Sequence, residues 1–210
     1  MATIKTVVFD IGNVVWRFHP AFDGVFRIWA QLMGINLHQF RLNYYEKDGL
    51  YRKFEVNTLT LNQWFPTICP NIKPQVFIDV LNTKLSNQLY FSKYLNNSTI
   101  SLVSKIRLSG LTAGCLSNTE NFFYPYFKKN FVPLFDYSIT SWQSGFRKPD
   151  PAIYHEIYKH GKFLPSEILF IDDVPANISA ARKQGISAIL FTNITKLKHD
   201  LKNFLPSLSH

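Results

Sequence analysis

The chain has 210 residues and very little cysteine: Cys69 and Cys115 are the only two, far apart and in no metal-like spacing. That excludes a disulfide framework and a thiolate zinc site, and it leads us to expect reduced, buried thiols and a cytoplasmic setting. No apolar run reaches transmembrane length, so no membrane partner is expected. Met1 passes almost directly into a β-like run, without the basic-then-apolar start of a secretory signal. There is no internal repeat and no low-complexity tract. The six histidines do not combine with a third acid partner at ligand spacing; His155 and His160 are five apart and off one helical face. Ser117 lacks the glycine flanks of a nucleophile elbow.

Basic residues are plentiful but scattered. The formal charge is +9, a field that attracts anions such as phosphate esters. Pairs such as Lys128-Lys129 and Arg182-Lys183 do not extend into a Lys/Arg run, and no nucleic-acid-binding motif is present, so a nucleic-acid partner is not expected. Hydrophobic residues make up 46% of the chain and aromatics 16%, with 19 Phe and 10 Tyr. That is enough apolar material to offset chain entropy in one sizeable domain, or in a core carrying an inserted subdomain.

The run Val7-Val8-Phe9 ends at Asp10-Ile11-Gly12-Asn13. Consecutive β-formers stopping at a carboxylate and a glycine read as a buried parallel strand, here Lys5 to Asp10, that delivers an acid to an open edge. From about Pro20 to Phe91 the apolar spacing turns helical. Phe22, Phe26, Trp29 and Met33 share a face that Gly34 can end, and further helices are predicted near His38 to Tyr45, Thr60 to Ile68 and Pro74 to Leu81. Thr58 or Thr60 can cap the third of these.

From about Asn97, strand and helix alternate. Helices are predicted over Ile100 to Leu108, Asn121 to Phe131 (interrupted by Pro125), Pro151 to His160 and Pro175 to Gln184. Strands are predicted over Leu111 to Leu116, Phe135 to Thr140, Glu167 to Ile171 and Ser187 to Phe191. The alternation predicts an α/β fold, a doubly wound parallel sheet with a Rossmann-like core and an inserted α-helical segment. The expected division is an α/β core over 1–16 and 92–210, with a helical cap over 17–91.

Ligands of such sheets bind beyond the carboxyl ends of the strands. Asp10, Ser117 and Asp172-Asp173 each follow a predicted strand, and Lys148 lies in a strand-to-helix loop on the same side. Singly, each has an ordinary structural reading: a turn acid, a helix cap, a helix-entry acid pair, a surface lysine. Together they are a nucleophile, phosphate donors, a cation and carboxylates for a divalent metal, the inventory of phosphoryl transfer. The ligands are hard oxygens, which suits Mg2+.

These residues resemble the motifs of the haloacid dehalogenase-like hydrolase superfamily, in its phosphatase branch. Phe9-Asp10-Ile11-Gly12-Asn13-Val14 is similar to the first motif and Leu116-Ser117-Asn118-Thr119 to the second. Arg147-Lys148-Pro149-Asp150-Pro151 with Ile153-Tyr154 is similar to the third, and Phe170-Ile171-Asp172-Asp173 with Asn177 and Gly185 to the fourth. The resemblance implies that Asp10 attacks phosphorus and becomes an aspartyl phosphate. It implies Mg2+ ligation by Asp10, the Gly12 carbonyl and Asp173, phosphate binding by Ser117, the Asn118 region and Lys148, and an orienting role for Asp172. It further implies a cap that closes over the site, and Glu55-Val56-Asn57-Thr58-Leu59-Thr60 with Phe65 loosely resembles a recurrent cap stretch.

The expected function is therefore Mg2+-dependent hydrolysis of a small phosphorylated metabolite, with sugar phosphates among the candidates. Two alternatives stay open: a metal-independent 2-haloacid dehalogenase, against which the acid pair argues, and a non-catalytic phospho-ligand or nucleic-acid binding module on a degenerate scaffold. One departure matters. Family phosphatases usually carry a second Asp two residues after the nucleophile, as the proton donor to the leaving group, and here that position is Gly12. General acid-base assistance is worth roughly 10²–10⁴-fold, so its absence is costly for a poor leaving group, and His19 or a metal-polarised water could supply the proton instead.

Overall fold

The computed structural model describes residues 3–46 and 49–206. It begins with β1 (Thr6–Phe9), followed by six helices in succession: α1 (Phe18–Leu32), α2 (Leu37–Glu46), α3 (Leu50–Glu55), α4 (Leu61–Ile68), α5 (Pro74–Leu85) and α6 (Gln88–Ser92). Then come α7 (Asn97–Leu108), β2 (Thr112–Ser117), α8 (Tyr124–Asn130), β3 (Tyr137–Thr140), α9 (Ser141–Ser144), α10 (Pro151–Gly161), β4 (Ile168–Asp172), α11 (Pro175–Lys183), β5 (Ser187–Leu190) and α12 (Ile194–Leu201). The five strands form one sheet in the order β3-β2-β1-β4-β5, and every pairing is parallel.

β1 is central, with Phe9 level with Cys115 on one side and Ile171 on the other. Its Val7-Val8-Phe9 run is apolar on successive positions because both faces are covered. Val7 and Phe9 enter one buried cluster with Phe135, Leu169 and Ile171. Val8 points the other way, to Phe170, Ile153 and Tyr154. The chain builds outward from β1 to β3, then crosses back to β4 and β5. The reversal falls between β1 and β4, so the crevice at their carboxyl ends is where such a sheet takes a ligand.

The chain leaves this sheet and returns to it through adjacent segments. The Arg17 N–H donates to the Tyr94 carbonyl at 2.9 Å and the Asn96 N–H to the Val15 carbonyl at 2.8 Å. Between them Trp16 is fully buried, stacked on Phe91 and Phe123 with ring centroids 5.0 and 5.6 Å apart. The helices between these segments pack through aromatic contacts. Phe54 lies flat on Trp64 at 4.3 Å, and Trp29 meets Phe65 and Phe77.

Several expectations are refined. Thr60, rather than Thr58, caps α4, in a capping box with Gln63. Pro125 does not interrupt its helix: α8 starts at Tyr124, and in the first turn the missing N–H costs no hydrogen bond. Ser117 and Asp172 close β2 and β4 instead of following them. α3, α6 and α9 were not predicted, each being too short to display a 3.6-residue period. α12 was also missed, although Asn193 caps it and Leu197 and Leu201 bury one face. No helix among the described residues is long and apolar enough to cross a membrane.

Candidate active site

Asp10 leaves β1 with its N–H donating to the Ile171 carbonyl at 2.8 Å, so the sheet ladder continues to the nucleophile position. Its Oδ1 accepts the Ile11 N–H at 2.8 Å and lies 2.7 Å from the Lys148 Nζ. The same ammonium reaches Asp172 Oδ2 at 2.7 Å and stands 5.6 Å from the centre of the Phe170 ring. Lys148 is 2% exposed, which would be costly for an unpaired cation. Burial works against its charge, but Asp10 and Asp172 outweigh that and hold its pKa above the ordinary lysine value.

Asp172 is the most completely satisfied of the acids. Besides Lys148 it accepts the Val174 N–H at 2.8 Å and the Asn177 amide at 3.0 Å to each oxygen. Its neighbour Asp173 points elsewhere and accepts from the Asn13 amide at 2.9 Å. Asn13 can do so because its backbone turns left-handed, φ 56°, a conformation asparagine tolerates better than most residues. Burial pushes the Asp173 carboxyl up, against the Asn13 hydrogen bond.

Asp10, Asp172 and Asp173 each place an oxygen within 4.8 Å of the others. Three carboxylates against one ammonium leave two negative charges in a largely buried site. Burial, with Asp172 and Asp173 adding repulsion, pushes the Asp10 carboxyl up to about 7 despite its contact with Lys148. That charge balance and the all-oxygen donor set fit a divalent hard cation. Since Asp172 is occupied by Lys148 and Asn177, the carboxylates left for such an ion are Asp10 and Asp173. At Gly12 a Cβ would lie 3.7 Å from Asp10 Oδ2 and 4.0 Å from Phe18. Ordinary contacts of this kind mean that space does not force glycine there.

Ser117 and Asn118 close the second side. Thr119 Oγ1 donates to Ser117 Oγ at 2.9 Å. The Asn118 amide clamps the Lys148 backbone, accepting its N–H at 2.9 Å and donating to its carbonyl at 3.1 Å. The loop carrying the lysine is thus fixed to the end of β2. Every residue expected at the site, Asp10, Gly12, Ser117, Asn118, Lys148, Asp172 and Asp173, is brought to this one edge, and all but Asp172 line a cavity of about 180 Å³.

A second part of the lining was not anticipated as a unit. It comprises Trp16, Phe18, Phe123, Tyr51, Glu55 and Glu120. Glu55, at the end of α3, pairs with Arg147 at 2.5 Å, and its carbonyl accepts from the Ser141 hydroxyl at 3.0 Å. Burial pushes its carboxyl up against the pull of Arg147. Glu120, three residues beyond Ser117, accepts a hydrogen bond from the Tyr51 hydroxyl. Burial first, and repulsion from Glu55 second, push its carboxyl up to about 7. Glu55 had been noted only within its cap stretch, and Glu120 and Tyr51 carried no sequence signal. The side chain of His19 lies outside the described residues.

Known proteins resemble this chain in sequence and in fold. A D-ribitol-5-phosphate phosphatase of Bacteroides thetaiotaomicron is 26% identical over 212 residues, covering 97% of this chain and all of the relative. Mouse bifunctional epoxide hydrolase 2 is 23% identical over 220 residues, and the rat protein matches similarly; the chain spans only 38% of the length of either. Among solved structures, an HAD family enzyme of B. thetaiotaomicron in complex with magnesium and inorganic phosphate superposes with a TM-score of 0.65 at 21% identity, covering 90% of this chain and 94% of that one. The family model for haloacid dehalogenase-like hydrolases matches residues 4–185. With that match spanning most of its length, the chain belongs to the haloacid dehalogenase-like hydrolases.

Proposed function

We propose that this hydrolase is a Mg2+-dependent phosphatase that cleaves a small phosphomonoester through an aspartyl phosphate on Asp10. The observation that carries the reading is the Lys148 ammonium shared between Asp10 and Asp172, with Asp173 beside them and two negative charges left over. A structural turn acid would not need a buried lysine, and a metal-free dehalogenase would not need the excess charge.

Asp10 Oδ1 is held by Lys148 and the Ile11 N–H, which leaves Oδ2 as the oxygen that attacks phosphorus or faces the metal. Asp10, the Gly12 carbonyl and Asp173 would hold Mg2+. When bound, the ion supplies positive charge against the phosphoryl oxygens. Lys148 supplies the second positive charge, and Asp172, aligned by Asn177, keeps it in place. Ser117 contributes a hydroxyl to the phosphate. Asn118 positions Lys148 with its amide, so its own contribution to phosphate binding is through the backbone.

The attack forms the Asp10–phosphorus bond and breaks the bond to the leaving oxygen, which takes a proton. Water then adds to phosphorus, restores the Asp10 carboxylate and releases inorganic phosphate. The helices between residues 17 and 91 act as the cap, covering the cavity and excluding water from the reacting atoms. The cavity's small volume favours a small leaving group. Pentitol and sugar phosphates lead the candidates, on the strength of the D-ribitol-5-phosphate phosphatase relative.

The test is a panel of phosphorylated metabolites assayed with Mg2+ and after chelation, for the wild-type chain and Asp10→Asn. Phosphate release that needs both Mg2+ and Asp10 is expected. Full activity of Asp10→Asn with deamidation excluded refutes the mechanism. Halide release from 2-haloacids that survives chelation moves the chain to the dehalogenase class, and no hydrolysis together with salt-sensitive polyanion binding makes it a binding module.

A further inference from the structure

Gly12 offers no proton, and other residues lining the cavity do. In an in-line displacement the leaving oxygen departs on the side of phosphorus opposite the nucleophile. The cavity that holds Asp10 is also lined by Trp16, Phe18, Tyr51, Glu55, Glu120 and Phe123, and the group that protonates the leaving oxygen must come from this lining. Four of these six are aromatic, which keeps the approach dry. The Trp16 indole N–H is spent on the Phe91 carbonyl at 3.3 Å and the hydroxyl of Thr119, which also lines the cavity, on Ser117 at 2.9 Å, so the acids to weigh are Tyr51, Glu55 and Glu120. Glu55 is committed to Arg147. Tyr51 spends its hydrogen on Glu120, and burial holds its phenol well above the usual value.

We propose that Glu120 is the catalytic acid that replaces the residue missing at position 12, protonating the leaving alcohol and then taking a proton from the water that attacks the aspartyl phosphate. The inference rests on the phosphatase reading of the same site. In the first step the Glu120 O–H bond breaks, its hydrogen passes to the leaving oxygen, and the electron pair stays on the carboxylate. In the second step the carboxylate accepts a proton from water as oxygen bonds to phosphorus, so Glu120 ends as it began.

Its surroundings suit that cycle. Glu120 is 4% exposed and its hydrogen-bonding partner, Tyr51, is 8% exposed. The groups with electrostatic influence on it are Glu55 and Tyr51 of α3, Tyr44 and Tyr45 of α2, and Arg147 of the loop before α10. The Tyr44 and Tyr45 hydroxyls, buried on the same side, have no hydrogen-bond partner among the described residues. They therefore do not compete for the Glu120 carboxyl. A carboxyl held near neutrality divides its time between the acid and base forms, which is what a group with both duties requires.

The experiment compares wild type, Glu120→Gln and Tyr51→Phe on two kinds of substrate, with Mg2+ present and folding checked by thermal melting. Glycerol 1-phosphate, ribitol 5-phosphate and glucose 6-phosphate release alkoxides that need a proton. Acetyl phosphate and p-nitrophenyl phosphate release anions that do not. We expect Glu120→Gln to lose roughly 10²-fold or more in kcat/KM on the best alkyl phosphate, to stay within about tenfold on the activated ones, and to lose the fall in rate above neutral pH. Tyr51→Phe removes a hydrogen bond that favours the carboxylate, so it should move that fall to higher pH, a readout that stands even if Glu120→Gln folds poorly. Equal losses on both substrate kinds, unchanged alkyl turnover, or an unmoved pH profile in Tyr51→Phe overturns the assignment. No Mg2+-dependent turnover of any of the five by wild type refutes the phosphatase reading itself, and this one with it.

Discussion

Replacing Glu120 by Gln should stabilise the protein above neutral pH, whatever it does to catalysis. The carboxyl is buried beside Glu55 and is pushed from 4.5 up to about 7 in the folded chain. In the unfolded chain it ionises at the ordinary value, so between the two values the folded state binds more protons than the unfolded state. Stability from this group then falls as pH rises. The penalty is absent below pH 4.5, grows through the window to 7, and is complete above it. A shift of this size corresponds to on the order of 3 kcal/mol, at 1.36 kcal/mol for each unit. Gln keeps the volume and an oxygen for the Tyr51 hydroxyl, and it removes the titration. The assay is urea unfolding of metal-free protein from pH 4 to pH 9, followed by the fluorescence of the four tryptophans. The stability difference between variant and wild type should be flat at low pH, climb between about 4.5 and 7, and level off. Parallel curves across the range would show that Glu120 titrates normally in the fold, and the electrostatic argument for it would fail.

Lys148→Met should destabilise by about 3–5 kcal/mol at pH 8, because Asp10 and Asp172 lose their shared cation while buried. The deficit should shrink in acid as the carboxylates protonate, and a pH-independent deficit in urea unfolding would contradict it. Gly114→Ala should cost about 1–3 kcal/mol, read as a lowered melting temperature, since its Cβ would come within 2.2 Å of the Tyr137 ring on the neighbouring strand. An unchanged melting temperature would mean that the ring swings aside at no cost to its hydrogen bond with Thr6. Gly12→Asp, for which the backbone has room, should return part of the alkyl phosphate turnover lost in Glu120→Gln. No recovery in a folded double variant would show that position 12 no longer faces the leaving group.

The sheet and its polar ends were legible because each rests on a local signal. Val7-Val8-Phe9 is apolar on successive positions only because both faces of β1 are covered. Asp10, Ser117 and Asp172 announce themselves as polar residues at the ends of such runs. Thr60 and Gln63 three residues apart mark a capping box. The second part of the cavity lining has no signal of this kind. Tyr51 and Glu120 are 69 positions apart, and Glu55 and Arg147 are 92, so no spacing rule connects them. α3, which carries both Tyr51 and Glu55, has six residues and cannot show a periodicity. The Asn13 contact with Asp173 was equally hidden, since it depends on a left-handed turn at a non-glycine residue.

The two parts of the lining belong to different elements, and that bears on when the site is complete. The groups proposed for phosphate and metal hang on β1, β2 and β4 and on a loop clamped to Asn118. The acidity of Glu120 depends instead on Tyr51 and Glu55, which belong to α3, within the stretch proposed as the cap. If those helices move away, Glu120 loses both the repulsion that raises it and the burial that does most of the raising. Its carboxyl would fall toward the ordinary range and release its proton to water. An acid at position 12 would be present whether the cap was open or closed. Glu120 would become a proton donor only over a covered substrate, so placing the acid there would couple leaving-group protonation to closure of the cap.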